Sequence, residues 1–345
     1  MSAAAATSAA RQRRMRAILP PTILAVIAVL AVTVPLAAGV PLTTFSVFNT
    51  FQNAATLGLV ALAVGLTVMA GEFDLSTIAV FTLGGLLAVK FGEASPFLGV
   101  AVAVGAGMAL GAVQGGIQAA TGISSVPLTL GGYIVIAGLC HIVAGESILV
   151  YGDYDVGLWL DGTVAFVFSP RSLIVLSLFV LIWLAMRHTA IGPMVRSAGA
   201  DRRAARASGV PAGRVVTGVF TLSGALCGLG GALFAYSTTA AKYDLGLDPF
   251  IFAVTAVLVG GIDVRGGRGS VIGILVGVLA LSLLDTIFIQ LAMPTWVIDL
   301  ARGGILLVVV LVEAPDLAKR LAAWRNDRRS REAAARLNQR DTQQP

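Results

Sequence analysis

Few side chains here are equipped for chemistry, and nearly all of them interrupt apolar sequence. Asn49, Gln52 and Asn53 stand together, Glu72 and Asp74 follow, and Gln114 and Gln118 share one helical face; Asp285 is isolated, and Asp299 precedes Arg302 by one turn. Such groups are costly in lipid, so they are the candidates for lining a polar path, with Asn49, Asn53, Asp74, Gln114 and Gln118 selected. Plainer uses exist. Asp74 is placed to cap the next helix or to hold a backbone amide at a break, and Asp299 most simply pairs with Arg302. Cys140–His141 is a poor metal site, because adjacent helical residues project about 100° apart and no acid or second His gathers nearby. Cys140 and Cys227 read as small packing residues rather than a disulfide or redox pair. No metal ligand and no catalytic residue is expected.

The densest charge lies in RHTAIGPMVRSAGADRRAARASGVPAGR, Arg187 to Arg214. It carries Arg187, Arg196, Arg202, Arg203, Arg206 and Arg214 against one acid, Asp201, between two apolar segments. Loops this basic beside membrane spans stay cytoplasmic, since translocating them is disfavoured. Short helices are predicted inside it: Asp201 caps Arg202–Ser208, Gly209 terminates that helix, and Pro211 prevents an immediate restart. A cytosolic helix held between two membrane helices can receive a push from a soluble partner.

The elements around these residues follow from composition. Of 345 residues, 57% are hydrophobic and 12% charged, with mean hydropathy +0.89; a soluble domain carries roughly twice that charge. The bilayer must therefore solvate most of the chain, which excludes a conventional soluble enzyme. The net charge of +6 does not point to nucleic acid, because the arginine clusters sit at the ends of apolar runs.

The N-terminus is basic (Arg11, Arg13, Arg14, Arg16) and then apolar from Ala17 to Val40. With no convincing cleavage site, it reads as a retained first span behind a cytoplasmic segment, 1–16. No charge occurs from Ala17 to Gly71; one span needs roughly 20 residues, so the run holds two, broken near Gly39–Pro41. A short third span runs from Leu75 to Val89, and Ala94–Gly145 gives two more divided around 121–125. An acidic outer loop (Glu146, Asp153, Asp155, Asp161) precedes span six, Ser172–Met186. Val215–Ser237, the short Pro249–Ile262, Gly269–Gln290 and Thr295–Val312 complete about ten transmembrane helices. The expectation is an all-α polytopic membrane protein with a permease domain over 17–315. The basic tail, 316–345, and the N-terminus are both cytoplasmic, since ten spans starting inside put every arginine cluster on one side and the acidic loops on the other.

These residues also carry a family resemblance. Gly71-Glu72-Phe73-Asp74-Leu75-Ser76 resembles a signature of permeases in the ribose/xylose/galactose branch of ABC importers. Val259-Gly260-Gly261, Gly266-Gly267-Arg268-Gly269, Gly273 and Gly277 resemble that family's second glycine signature. Gly192 to Gly199, with Ala204 to Val210, is similar to its ATPase-coupling loop. The matches fall in order over residues 45 to 315. Departures are Gly199-Ala200-Asp201 where Gly-Gly-Asn is frequent, and Asp263 where small or hydroxyl residues are common.

The resemblance implies a permease subunit in the bacterial inner membrane that imports a small solute, usually a monosaccharide. Its implied partners are a second permease copy, a cytosolic ATPase and an extracytoplasmic solute-binding protein. Lipid surrounds it and nucleic acid is not a partner. Branched-chain amino-acid import is the alternative within the class, and an ion-coupled secondary transporter using Glu72, Asp74 and Asp285 the alternative outside it. Only Lys90, Lys242 and Lys319 are lysines, and none follows a glycine. The phosphate cradle G-x-x-x-x-G-K-[ST] is therefore absent, and the chain needs no cofactor of its own, ATP and Mg being bound by the partner.

Coupling is assigned to Gly192, Arg196, Asp201, Arg202, Arg203, Ala204, Ala205, Ser208 and Gly209. The arginines are expected to meet acids on the ATPase, with Ala204 and Ala205 as a close-packed face. Gly71, Gly260, Gly261, Gly266, Gly267, Gly269 and Gly273 are assigned to close helix packing.

Overall fold

The computed structural model describes residues 43–145 and 147–313, together with Thr33 and Gly39. Segments 1–16 and 316–345, and nearly all of the expected first span, lie outside the described residues. Twelve helices follow among those described: α1 Thr44–Met69, α2 Thr77–Gly92, α3 Pro96–Thr121, α4 Ser125–Ala144, α5 Tyr154–Asp161, α6 Pro170–His188, α7 Ile191–Ala200, α8 Arg202–Ala207, α9 Ala212–Thr238, α10 Asp248–Val259, α11 Val271–Gln290 and α12 Thr295–Glu313. Six of them (α1, α3, α4, α6, α9 and α11) are long and apolar enough to cross a membrane, and α2 and α10 are shorter apolar helices. The molecule is a helical, polytopic membrane protein.

Local chemistry sets the boundaries. Thr43 and Ser169 each close a reciprocal capping box, with Ser46 and Ser172, which satisfies amides that lipid cannot. Proline opens α3 and α6 in the first turn, where its missing N–H removes nothing. Gly122 and Gly145 end α3 and α4 in the left-handed conformation, as C-terminal glycines do.

The acidic loop is more ordered than expected. It contains α5, and Leu149–Val150 (β1) pairs antiparallel with Ala240–Ala241 (β2), so the acidic loop meets the α9–α10 connection at one end of the molecule. Tyr151 and Tyr236 pack there with ring centroids 4.7 Å apart, and Tyr236 Oη lies 3.0 Å from both the Ala88 and Pro96 carbonyl oxygens. At the opposite end, Met69–Ser76, the 118–125 turn, α7–α8 and the 263–269 turn converge.

Helix α9 is the axis of the packing, with α2 on one side and α3 on another. On its α3 face Gly224 meets Gly107 backbone to backbone, and a Cβ on either would collide with the other's carbonyl. No side-chain rearrangement relieves such a clash. Small residues at helix interfaces serve this purpose in membranes, where close contact replaces the hydrophobic effect. By contrast α4 buries only a narrow stripe (Ser125, Thr129, Ile136, Cys140, Ala144) and exposes Ile134, Val135 and Ile142.

Gly224→Leu is expected to overpack the α3–α9 contact by at least about 1–3 kcal/mol and to reduce monodisperse protein after detergent extraction. Gly218→Leu, on the same helix with open space around its Cβ, should be tolerated. Size-exclusion profiles of the two variants check this.

Candidate functional site

A helix that stops near the membrane boundary leaves carbonyls and amides without partners. Helix α1 stops at Met69, and the chain runs unwound through Gly71-Glu72-Phe73-Asp74-Leu75-Ser76 before α2 begins. Its polar groups are taken up one by one. Ser125 Oγ accepts from Phe73 N (3.0 Å), while Thr129 Oγ1 accepts from Leu75 N (3.1 Å) and donates to Phe73 O or to Ser125 O. Asp74 Oδ1 accepts from Ser76 N at 2.9 Å and Ser76 Oγ at 2.6 Å, the turn-closing use noted as its plainer role. Gly267 N donates to Met69 O at 3.0 Å, closing the end of α1 from the 263–269 turn.

The arginine-rich segment lies directly against this break. Gly71, at φ +79°, faces Gly199 at the end of α7; a Cβ there would sit 3.0 Å from the Gly199 oxygen. Gly266 approaches Gly71, and Gly267 approaches Ala200. Two turns and the end of α7 thus touch through backbone. Gly260 and Gly273 meet in the same manner between α10 and α11; Gly261 (φ +82°) and Gly269 (φ +137°) are turn residues.

Helix α8 is built from its cap. Asp201 Oδ1 accepts from Arg203 N (2.8 Å) and Ala204 N (3.0 Å). The amides of Ala204 and Arg203 hold this carboxyl below the ordinary aspartate range. Gly209 follows at φ +82°. Arg203, Ala204, Arg206 and Ser208 are exposed, Arg196 is half-buried, and Gly192 is buried against the Met186 carbonyl.

Two residues differ from the expectation of partner contact. Ala205 is buried, 4% exposed, because it is on the face of α8 that packs on its own chain. Arg202 turns inward: Nη2 donates to Glu72 Oε1, and to Gln118 Oε1 at 3.1 Å. Gln118 Nε2 in turn donates to Glu72 Oε2 at 2.8 Å.

The five candidate path residues do not form one site. Asp74, Gln114 and Gln118 lie toward the arginine-rich end, with Gln114 buried beside Gly132 of α4. Asn49 and Asn53 lie toward the other end of α1, where Asn53 Nδ2 donates to Thr286 Oγ1 at 3.1 Å. From Asn53 to Met69 the helix rises about 24 Å.

Two buried ion pairs were not legible in the sequence. Arg302 donates to both oxygens of Asp285, at 3.0 and 2.6 Å, with its guanidinium 5.6 Å from the Phe252 ring centroid. This corrects the expected Asp299–Arg302 pair: Asp285 is buried and Asp299 exposed, so the cation goes to the acid that lipid penalises most. At the other end, Arg171, 5% exposed, pairs with Asp161 at 2.8 Å and donates to Thr56 Oγ1 at 2.9 Å. The cradle residues Ser125 and Thr129 were also missed. Their spacing of four at a helix start was the available signal. Among the described residues no three His, Cys, Asp or Glu side chains gather to hold a metal.

A helical membrane protein whose α1–α2 turn rests on a basic, helix-bearing loop between long spans has the architecture of a transport permease. The chain belongs to the family described as branched-chain amino acid transport system / permease component, whose model matches residues 46–310. It is a permease subunit of an ABC importer. It is 31% identical to the L-arabinose ABC transporter permease protein of Azospirillum brasilense over 264 residues, 74% of this chain and 76% of the relative. It is 24% identical to the ribose import permease protein of Escherichia coli (strain K12) over 287 residues, 78% and 85% respectively. With the autoinducer 2 import system permease protein of Yersinia pestis (strain Pestoides F) the identity is 26% over 287 residues, 81% and 86%. No solved structure matches the chain.

Two outcomes follow. Removing the cradle with Thr129→Val leaves the Leu75 amide unpaired and should cost about 1–3 kcal/mol, read as a lower thermal midpoint in detergent. The Asp201 cap, whose folded carboxyl titrates below its ordinary value of 3.8, contributes fully above that value and is lost as pH falls through the lower folded value. Protection factors over 202–208, referred to the intrinsic exchange rate at each pH, should therefore be unchanged from neutral to mildly acidic pH and fall in Asp201→Ala, with Asp201→Asn retaining most of the protection.

Proposed function

We propose that this chain carries a monosaccharide across the bacterial cytoplasmic membrane, receiving it from an extracytoplasmic binding protein. Two permease copies form the path, each resting on a cytosolic ATPase that binds ATP and Mg. The observation that carries the reading is the family match over residues 46–310 joined to relatives named for arabinose and ribose. The family description itself favours a branched-chain amino acid as the second reading.

In this reading about ten helices cross the membrane with both termini in the cytoplasm, and the arginine-rich end faces the ATPase. The positive-inside rule supports that orientation: Arg196, Arg203, Arg206, Arg265 and Arg268 sit at one end and Asp153, Asp155 and Asp161 at the other. Exposed Arg203, Ala204, Arg206, Ala207 and Ser208 form the face of α8 offered to the ATPase. A proton- or sodium-driven mechanism is disfavoured by the ion pairs, since Glu72 and Asp285 each already have an arginine partner.

Proteoliposomes holding the permease, its ATPase and its binding protein should accumulate a labelled pentose or hexose with ATP and not with an ion gradient alone. Accumulation of labelled leucine in place of every sugar would move the assignment to the second reading. Uptake without nucleotide would overturn both.

A further inference from the structure

We infer that Glu72 and Arg202 are positioning residues that carry the movement of α7 and α8 to the broken backbone at 70–76, Arg202 acting inside the permease and not on the ATPase. The inference deepens the importer reading and rests on it.

Arg202 is the first residue of α8, so the Asp201 cap fixes its origin. Arg203 and Arg206 of the same helix are exposed, whereas Arg202 is directed back into the chain. It reaches Glu72, 7% exposed, which belongs to the break itself and stands two residues before Asp74. Gln118 completes a closed ring: its Oε1 accepts from Arg202, and its Nε2 donates to the second Glu72 oxygen. The ring thereby ties together α8, the break and the end of α3.

This ring has a mechanical role that packing does not supply. The contacts of Gly71 with Gly199 and of Gly267 with Ala200 are backbone against backbone. Such contacts resist compression and transmit a push; they offer almost no resistance when the surfaces separate, because dispersion falls off within an ångström. An ion pair with charge-assisted hydrogen bonds resists separation. With both present, the break follows the coupling helices in either direction. Glu72 and Arg202 also make a poor case as mere stabilisers, since desolvation consumes most of what a buried pair gains.

The test uses the whole assembly in proteoliposomes, measuring sugar taken up per ATP hydrolysed alongside recovery of the ATPase on the tagged permease. Glu72→Gln and Arg202→Gln should each copurify with the ATPase as the wild type does and hydrolyse ATP at a similar rate. Sugar moved per ATP should fall by about tenfold, the size of one coupling interaction. Exchanging the charges, Glu72→Arg with Arg202→Glu, should recover a substantial part of that ratio. Gln118→Met, which keeps the ion pair and removes the ring, should lower the ratio by about threefold and decides the matter where the charge variants do not fold.

An unchanged ratio in every variant that folds would overturn the inference. So would loss of the ATPase from Arg202→Gln alone, because that result places Arg202 on the partner. If the wild-type assembly itself shows no ATP-driven uptake, the importer reading fails first; if it transports and the variants match it, only the Glu72–Arg202 link fails.

Discussion

A backbone that leaves the helix while buried in protein has to find its partners there, and the break at Gly71–Ser76, with Glu72, Asp74 and Ser76 buried, is where this fold meets that demand. Ser125 and Thr129 bind the Phe73 and Leu75 amides, Asp74 binds Ser76, and the Gly267 amide takes the last carbonyl of α1. Apart from the local Asp74–Ser76 bond, those partners come from two regions of the chain far away in sequence, the start of α4 and the 263–269 turn. Satisfying one short segment therefore fixes how the start of α4 and the 263–269 turn are placed around α1, and Gly199 at the end of α7 packs against the same segment. Because a buried polar group left unsatisfied costs about 1–3 kcal/mol, the arrangement is strongly specified.

The consequence for function is proximity. The basic loop is not a tether hanging from two spans; its two short helices are seated against the break through glycines and through the Glu72–Arg202–Gln118 ring. A force applied at the exposed side of α8 has a path of a few contacts to the turn where α1 passes into α2. The far end is closed by a different chemistry: the Arg171–Asp161 pair, the Tyr151–Tyr236 stack and the β1–β2 bridge. Helix α1 spans both ends, with Thr56 joined to one ion pair and Glu72, three residues beyond its end, forming part of another. Alternating access requires two ends that open separately, and α1 is common to both.

The sequence announced the membrane class and the element order well, because charge-free runs and flanking arginines are written locally. The division of Ala94–Gly145 into α3 and α4 at the 121–125 turn, and the short helix capped by Asp201, followed from turn and cap residues that act within a few positions of themselves. Long-range pairing was not readable in this way. Arg302 has Asp299 one turn away, and local spacing alone chooses it; only the fold, which packs both α11 and α12 on α10, shows that buried Asp285 is the stronger claimant. Ala205 and Arg202 were assigned to the outside because an isolated helix of six residues shows no preferred face until its neighbours are known. The glycines at 71, 266 and 267 were recognisable as unusual, but their meeting with Gly199 depended on a fold that brings two turns and the end of α7 together.

The account stands on the arginine-bearing segment facing the cytosol and receiving the ATPase there. Both native cysteines are buried, so single cysteines at the exposed positions Arg203 and Ser208 can be probed with a membrane-impermeant thiol reagent in sealed right-side-out and inside-out vesicles. The account predicts labelling only in inside-out vesicles, and protection there once the ATPase is bound. Labelling from the outer face, or labelling indifferent to the ATPase, would contradict it.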